Sequence, residues 1–285
     1  MQNSNSMHVP CGMRFFTFIL LKVRITVEGF KIFHLIIRSA GVPFLILIFE
    51  LLILGCGGNH VLVKLDAPDQ FQKAKEFFDR KKYGDAIEEF KRVLFEHPGS
   101  AYVDDAQFYL GESYFLMEDY SQAVSEYDYL LRNFPESPFV ENSEFRLGVS
   151  HYRQSPPYYL DQTETRKAIE SFEEFMIKFP HSGFIQEAEN FLTLGREKLA
   201  KKTLENGRLY YKRKEYSSAI LYFQSLLSEY SESQYRREAT YLLGECFERT
   251  GRREEALASY RDLLLGEDGF VQKAREKIEK LEKEG

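Results

Sequence analysis

The stretch Tyr83-Gly84-Asp85-Ala86-Ile87, followed by Phe90 and Pro98, decides the fold because it comes back. Displaced by 37 residues at every position, it recurs as Tyr120-Ser121-Gln122-Ala123-Val124 with Tyr127 and Pro135. The set returns as Ala168, Phe172 and Pro180, then as Tyr216, Ala219 and Phe223, then as Ala256 and Tyr260. A second set precedes each: Leu110, Gly111 and Tyr114; Leu147, Gly148 and His151; Gly207 and Tyr210; Leu243, Gly244 and Phe247. A small residue, a large one four later and a proline eight beyond that describe a helical pair. The small residue lets two helices approach, the aromatic fills the groove between them, and proline stops the second helix. Self-similarity at such a period predicts an all-α solenoid.

The pattern resembles the tetratricopeptide repeat, and about five copies fill residues 69 to 285. Two spacings break the period. Between repeats two and three the second-helix markers are 45 apart, and the extra residues fall around Gln154-Ser155-Pro156-Pro157-Tyr158-Tyr159-Leu160-Asp161. That segment reads as a proline-broken loop between the helices of repeat three. Between repeats three and four the spacing is 51, and the added stretch holds no proline. It corresponds to about four helical turns, so Gly183 to Lys214 is expected to form one long or gently broken helix. The solenoid is thereby divided into N-terminal repeats 1–3 (residues 69–182) and a long helix with C-terminal repeats 4–5 (183–285).

Composition is ordinary: 285 residues, 44% hydrophobic, 29% charged, 15% aromatic, no tryptophan. Disordered, collagenous and multi-span membrane classes are excluded. With 38 basic against 44 acidic residues, a chain-wide nucleic-acid footprint is not expected. Three cysteines, Cys11, Cys56 and Cys246, leave no disulfide framework and no four-cysteine zinc site. Catalytic patterns are missing: no phosphate-cradling glycine loop with a lysine, no paired histidines at helical spacing, no glycine-flanked serine nucleophile. His97 and His181, beside the inter-repeat prolines, are read as helix C-caps. Cys246 is read as a small core residue. Glu88-Glu89 and Glu173-Glu174 are read as solvated faces. The expectation is a binding protein rather than an enzyme, with no metal and no cofactor.

The N-terminus carries a different signal. Five basic residues, Arg14, Lys22, Arg24, Lys31 and Arg38, precede an apolar run from Val42 to Cys56. At 15 residues the run is short of the roughly 20 needed to cross a bilayer. Positive charge, a short greasy stretch and a small residue before the cut are the layout of a secretory signal. Ile53-Leu54-Gly55-Cys56 resembles a bacterial lipobox, in which the cysteine is acylated and becomes the new N-terminus. Residues 1–55 are thus expected to be a signal peptide and 56–68 a lipidated flexible linker. The covalent lipid sits on Cys56. An uncleaved anchor ending at Gly55 is the alternative. From Cys56 onward, 33 basic residues face 42 acidic ones, a net charge of −9.

One pattern exceeds what packing asks for. Phe71, Phe108 and Phe145 share one repeat position, and Phe78, Phe115 and Tyr152 share another, seven residues on. Seven helical steps return to within roughly 20° of the start, so each pair lies on one stripe. Leu110 and Tyr114, which face the second helix, lie elsewhere on the circumference. By resemblance to tetratricopeptide proteins, these six rings line a groove that takes extended peptides. Packing against the neighbouring repeat's first helix is the other reading, and one ring can do both. In repeats four and five the equivalents are Leu204, Tyr211, Tyr241 and Glu248, so the stripe fades.

The lipobox, the loop in the third repeat and the long helix into the fourth together resemble the BamD/ComL-type family of outer-membrane assembly lipoproteins. The supporting strings are Asp161 to Ile169, Phe172 to Pro180, Arg196 to Ala200 and Gly207 to Tyr211. The resemblance covers residues 56 to 285. It implies a non-enzymatic scaffold, lipid-anchored on the periplasmic face of the outer membrane. It further implies that the C-terminal repeats dock a BamA-like β-barrel insertase. The N-terminal repeats would receive unfolded outer-membrane proteins by their aromatic-ended C-termini, with other assembly lipoproteins as further partners. Another outer-membrane repeat lipoprotein, such as a pilotin for a secretin or a Tol-Pal coordinator, is the alternative. Ser231 and Asp268 stand where the last two repeats would carry the terminal proline.

Overall fold

The computed structural model describes residues 64–283, and within them there are eleven α-helices and no strand. The expectations for residues 1–63, acylation of Cys56 among them, lie outside the described residues. Ten helices form five antiparallel pairs: α1 (Ala67–Asp79) with α2 (Tyr83–Glu96), α3 (Val103–Leu116) with α4 (Tyr120–Asn133), α5 (Val140–Gln154) with α6 (Thr163–Lys178), α7 (Ile185–Lys212) with α8 (Tyr216–Glu229), and α9 (Arg236–Arg249) with α10 (Arg253–Leu263). The eleventh, α11 (Gly269–Lys283), stands alone against the last pair. This is a tetratricopeptide-repeat solenoid. The first helix starts at Ala67, two residues inside the expected linker, because the Asp66 carboxylate accepts from the Asp69 N–H and caps it.

The repeated small and large residues meet as their spacing requires. Gly111 faces the ring of Tyr127, Gly148 that of Phe172, Gly207 that of Phe223, and Gly244 that of Tyr260. A Cβ added to Gly207 would lie 2.5 Å from Cε1 of Phe223, so only glycine allows this approach. Those four rings and Phe90 are fully buried, and a buried ring of this size contributes about 1.5–3 kcal/mol.

The turns inside the pairs share one construction. Lys81, Glu118, Lys214 and Gly251 each follow a first helix with positive φ, between 59° and 73°. In each turn the next N–H reaches five residues back, as from Lys82 to the Phe77 carbonyl and from Asp119 to Tyr114. This doubly bonded stop satisfies the last helical carbonyls. Repeat three lacks it, because residues 155–162 form the proline loop instead.

The turns between repeats also share a device. A hydroxyl accepts from the N–H two residues on: Ser100 from Tyr102, Ser137 from Phe139, Ser182 from Phe184, and Ser233 from Tyr235. The Asp268 carboxylate does the same for Phe270. Asp268 therefore does not stand in for a helix-ending proline. Because α10 stops at Leu263, Asp268 already belongs to the entry of α11, a helix the repeat spacing did not separate from the fifth pair.

Two smaller expectations change, and the reading of Cys246 as a core residue holds. Glu89 is buried rather than solvated, bound by Lys73 and the Gln70 amide, while Glu88 is exposed. His97 is the C-cap of α2, but His181 lies past the α6 cap, which is Phe179. Cys246 is fully buried in the C-terminal core. The long segment is one uninterrupted helix of 28 residues, about 42 Å at 1.5 Å per residue. Neither it nor any other described helix is long and apolar enough to cross a membrane. First helices of successive repeats touch one another (α1 with α3, α5 with α7, α9 with α11), whereas second helices do not to the same degree. The first helices therefore line the inner side.

Candidate functional site

Two rows of rings run along the inner side, and they differ in what covers them. Phe71, Phe108 and Phe145 are each stacked by the aromatic that opens the next repeat. Phe71 meets Tyr102 at 5.3 Å, Phe108 meets Phe139 at 4.4 Å, and Phe145 meets Phe184 at 4.6 Å. The last two pairs are nearly parallel, at 11°. Phe108 is 7% exposed and Phe145 2%, so these two rings are inter-repeat core with little surface to offer a guest. Phe71 remains half-buried. The Ser-x-aromatic turn supplies each stacking partner, a repeated position that the sequence reading passed over.

The second row, Phe78, Phe115 and Tyr152, stays half-buried at the C-terminal ends of α1, α3 and α5. Each ring keeps a cation over its face. Lys75 Nζ lies 5.0 Å from the Phe78 centroid, the Arg146 guanidinium 4.7 Å from Phe115, and Lys198 Nζ 4.9 Å from Tyr152. The ring quadrupole attracts such charges. Sideways, Phe78 meets Tyr109 at 5.2 Å and Tyr152 meets Phe191 at 5.1 Å.

The cations are held differently. Arg146 Nε binds the Glu112 carboxylate at 2.8 Å, and Tyr127 donates its hydroxyl to the same carboxylate at 2.6 Å. Burial first, then the Glu112 charge, pushes the Tyr127 phenol well above its ordinary range. Lys75 pairs with Asp79 at 2.8 Å. Lys198 donates to the Ser155 hydroxyl at 2.6 Å, and burial draws its ammonium below the ordinary lysine value. Rows of this kind can hold apolar side chains between rings and anionic groups beside cations.

Further along, the inner side closes. Leu204 is buried, and Tyr211 donates its hydroxyl to Glu245 at 3.0 Å. Tyr241 packs against Phe270, and Glu248 takes Lys277 at 2.8 Å. There α11 occupies the place a sixth first helix would take. Among the described residues no cluster of histidine, cysteine or carboxylates has metal-binding geometry. His151 Nδ1 lies 2.7 Å from Glu164 and ties α5 to α6 across the proline loop.

Residues 64–262 match the family described as YfiO, outer membrane lipoprotein. The chain is 27% identical over 213 residues to a protein of Rickettsia prowazekii (strain Madrid E) named outer membrane protein assembly factor BamD, covering 74% of this chain and 85% of that one. Similar solved structures include the TPR2AB-domain:pHSP90 complex of yeast Sti1, at 13% identity and TM-score 0.39, covering 70% of this chain and 76% of that one. Another is a thermophilic TPR protein of Thermus thermophilus, at 17% identity and TM-score 0.33, covering 76% and 98%.

Proposed function

The chain belongs to the YfiO family of outer-membrane lipoproteins, and from that premise we propose a non-enzymatic scaffold of β-barrel assembly at the outer membrane. The BamD name of the Rickettsia prowazekii relative supports this reading. In it, Cys56 carries the lipid that holds the chain to the periplasmic face of the outer membrane. The C-terminal repeats dock a BamA-like insertase, and the N-terminal repeats receive unfolded outer-membrane proteins.

The observation that carries the guest site is the row of three half-buried rings, each under a cation, on the inner side of repeats one to three. An aromatic-ended peptide suits it on two counts. Ring pairs add to simple area burial, and Lys198, held by the Ser155 hydroxyl rather than by a carboxylate, offers a partner for the peptide's carboxylate. Phe78, Phe115 and Tyr152 form the contact surface, Phe71 flanks it, and Phe108 and Phe145 support it from beneath.

The non-enzymatic part of the reading draws on the one described cysteine. Burial pushes the Cys246 thiol up to about 12, which keeps it protonated at neutral pH.

Fluorescence anisotropy with a labelled C-terminal peptide of a barrel protein tests the groove. Phe115→Ser is expected to weaken binding several-fold while circular dichroism stays native. Unchanged affinity in Phe78→Ser and Phe115→Ser alike would remove the site from this face. Affinity capture from solubilised envelopes separates this scaffold from a pilotin or a Tol-Pal coordinator. Recovery of the barrel insertase supports assembly, and recovery of a secretin instead would overturn it.

A further inference from the structure

The proline loop of repeat three is held more firmly than a connection needs to be. Gln162 is fully buried, and the two N–H groups of its amide are shared among the carbonyls of Pro157 at 2.9 Å, Leu160 at 3.2 Å and Asp161 at 3.2 Å. Thr165 donates its hydroxyl to the other end of the same amide at 2.7 Å. Lys202 Nζ, from α7, donates to the Leu160 carbonyl at 2.5 Å. This fixation holds apolar groups out in solvent rather than in a core. Tyr159 is 67% exposed and Leu160 50%, and Leu209 on the facing helix is 52% exposed. Between loop and helix lies a cleft of about 300 Å³, lined by Tyr158, Tyr159, Lys202, Leu209 and Lys212 among others. Exposed apolar groups fixed in place around a cleft mark an interaction site, and fixation lowers the cost of binding.

Charge decides the occupant. Lys201 Nζ lies 4.6 Å from the centroid of Tyr158, and Lys202 and Lys212 line the cleft. Lys202 spends one N–H on the Leu160 carbonyl. The Thr163 hydrogen bonds and, at longer range, the Lys202 charge lower the Asp161 carboxyl. The acidic groups nearby are engaged: Glu205 binds Arg208 at 2.5 Å, and Asp161 accepts from the Thr163 N–H at 2.9 Å. A cationic, ring-lined cleft thus sits on a chain whose acidic residues outnumber its basic ones, 44 to 38.

We propose that this cleft, formed by the repeat-three loop and α7, docks an acidic segment of a partner protein bearing an aromatic or aliphatic side chain. The side chain enters between Tyr159 and Leu209, and the flanking carboxylates meet Lys201, Lys202 and Lys212. The cleft's lining shares no residue with the ring row of repeats one to three, and the proposal does not rest on that groove.

A labelled peptide alternating acidic residues with phenylalanine and leucine is the probe, with its lysine-for-acid counterpart as control. By anisotropy the native chain should bind the acidic peptide, with affinity falling as salt rises. Lys201→Glu with Lys202→Glu should weaken binding at least tenfold, on the order expected for like-charge contacts, and Tyr159→Ser should weaken it several-fold. Phe115→Ser should leave it unchanged. If the charge-reversed pair fails to fold by circular dichroism, Lys201→Gln with Lys202→Gln reads the same interaction. Equal binding of both peptides, or undiminished binding by a folded lysine variant, overturns the proposal. Loss in Phe115→Ser would assign the probe to the groove and overturn it too. So would a lysine variant that loses phosphatidylglycerol vesicles while keeping the peptide.

Discussion

At Lys81, Glu118 and Lys214 the backbone turns left-handed, with φ of 59°, 63° and 61°, although each residue carries a Cβ. That conformation costs an L-residue roughly 1–2 kcal/mol, and repeat five avoids it by placing Gly251 there. Lys214→Gly should therefore stabilise the chain by about 0.5–1 kcal/mol once glycine's greater unfolded freedom is subtracted. A melting midpoint that fails to rise would mean the turn is not strained. The buried thiol makes a second prediction at this scale. Burial first, with the Glu245 charge, pushes Cys246 up to about 12, whereas unfolded cysteine ionises near about 8.5. As pH rises the unfolded chain loses this proton first. The stability is whole below about pH 8.5 and declines as pH climbs toward the folded value. Burial also raises Tyr127 and Tyr260, which extends the alkaline loss. Cys246→Ala should flatten the first part of that decline, measured as melting midpoints from about pH 7 to about pH 10.5. An identical profile would mean the thiol does not couple to folding.

Among the elements, α11 depends most on charge. Lys277 reaches Glu248 at 2.8 Å and Glu245 at 3.2 Å from the last first helix, and all three side chains are under a third exposed. Burial opposes the Glu248 charge, but the Lys277 hydrogen bond and charge, with Tyr260 and Lys280, hold its carboxyl below the usual range. Lys277→Met would leave two carboxylates facing each other. The expected cost lies between the roughly 0–1 kcal/mol of an exposed pair and the roughly 3–5 kcal/mol of a buried one. Amide exchange should quicken over Gly269–Lys283 and stay native in α1 to α6; native protection in α11 would remove the latch. This helix also shows where sequence reading stops. The five pairs, the loop and the long helix were legible because the small and large residues that mark them recur at countable distances. Helix α11 carries the small residue, Ala274, but the described residues hold no second helix after it to repeat the signature. The ring rows were legible by period. Which row is covered depends on Tyr102, Phe139 and Phe184, which lie beyond the next turn in sequence and meet the first row only in three dimensions.

For the whole molecule, location and fold are separable, because the repeats carry their own core from Leu65 onward as one compact unit. Between Cys56 and Ala67 the chain can span at most about 36–40 Å, at 3.3–3.6 Å per residue. In the proposed lipoprotein, the start of α1 can therefore lie no farther than that from the acylated residue. Stable anchoring needs more than one acyl chain, or a chain with a basic patch. From Cys56 onward this chain is acidic overall, 42 against 33, so its net charge gives no attraction to an anionic surface. In that reading, several acyl chains on Cys56 supply the holding energy. Cys56→Ser in the full chain should accordingly abolish fatty-acid labelling and leave an unprocessed precursor. Its melting midpoint and helicity should match the native protein, because the buried rings and glycine crossings of the repeats lie wholly beyond residue 64. Labelling that persists in Cys56→Ser would overturn the lipid anchor. Lost helicity with lost labelling would instead overturn the separation, and make the anchor a part of the fold.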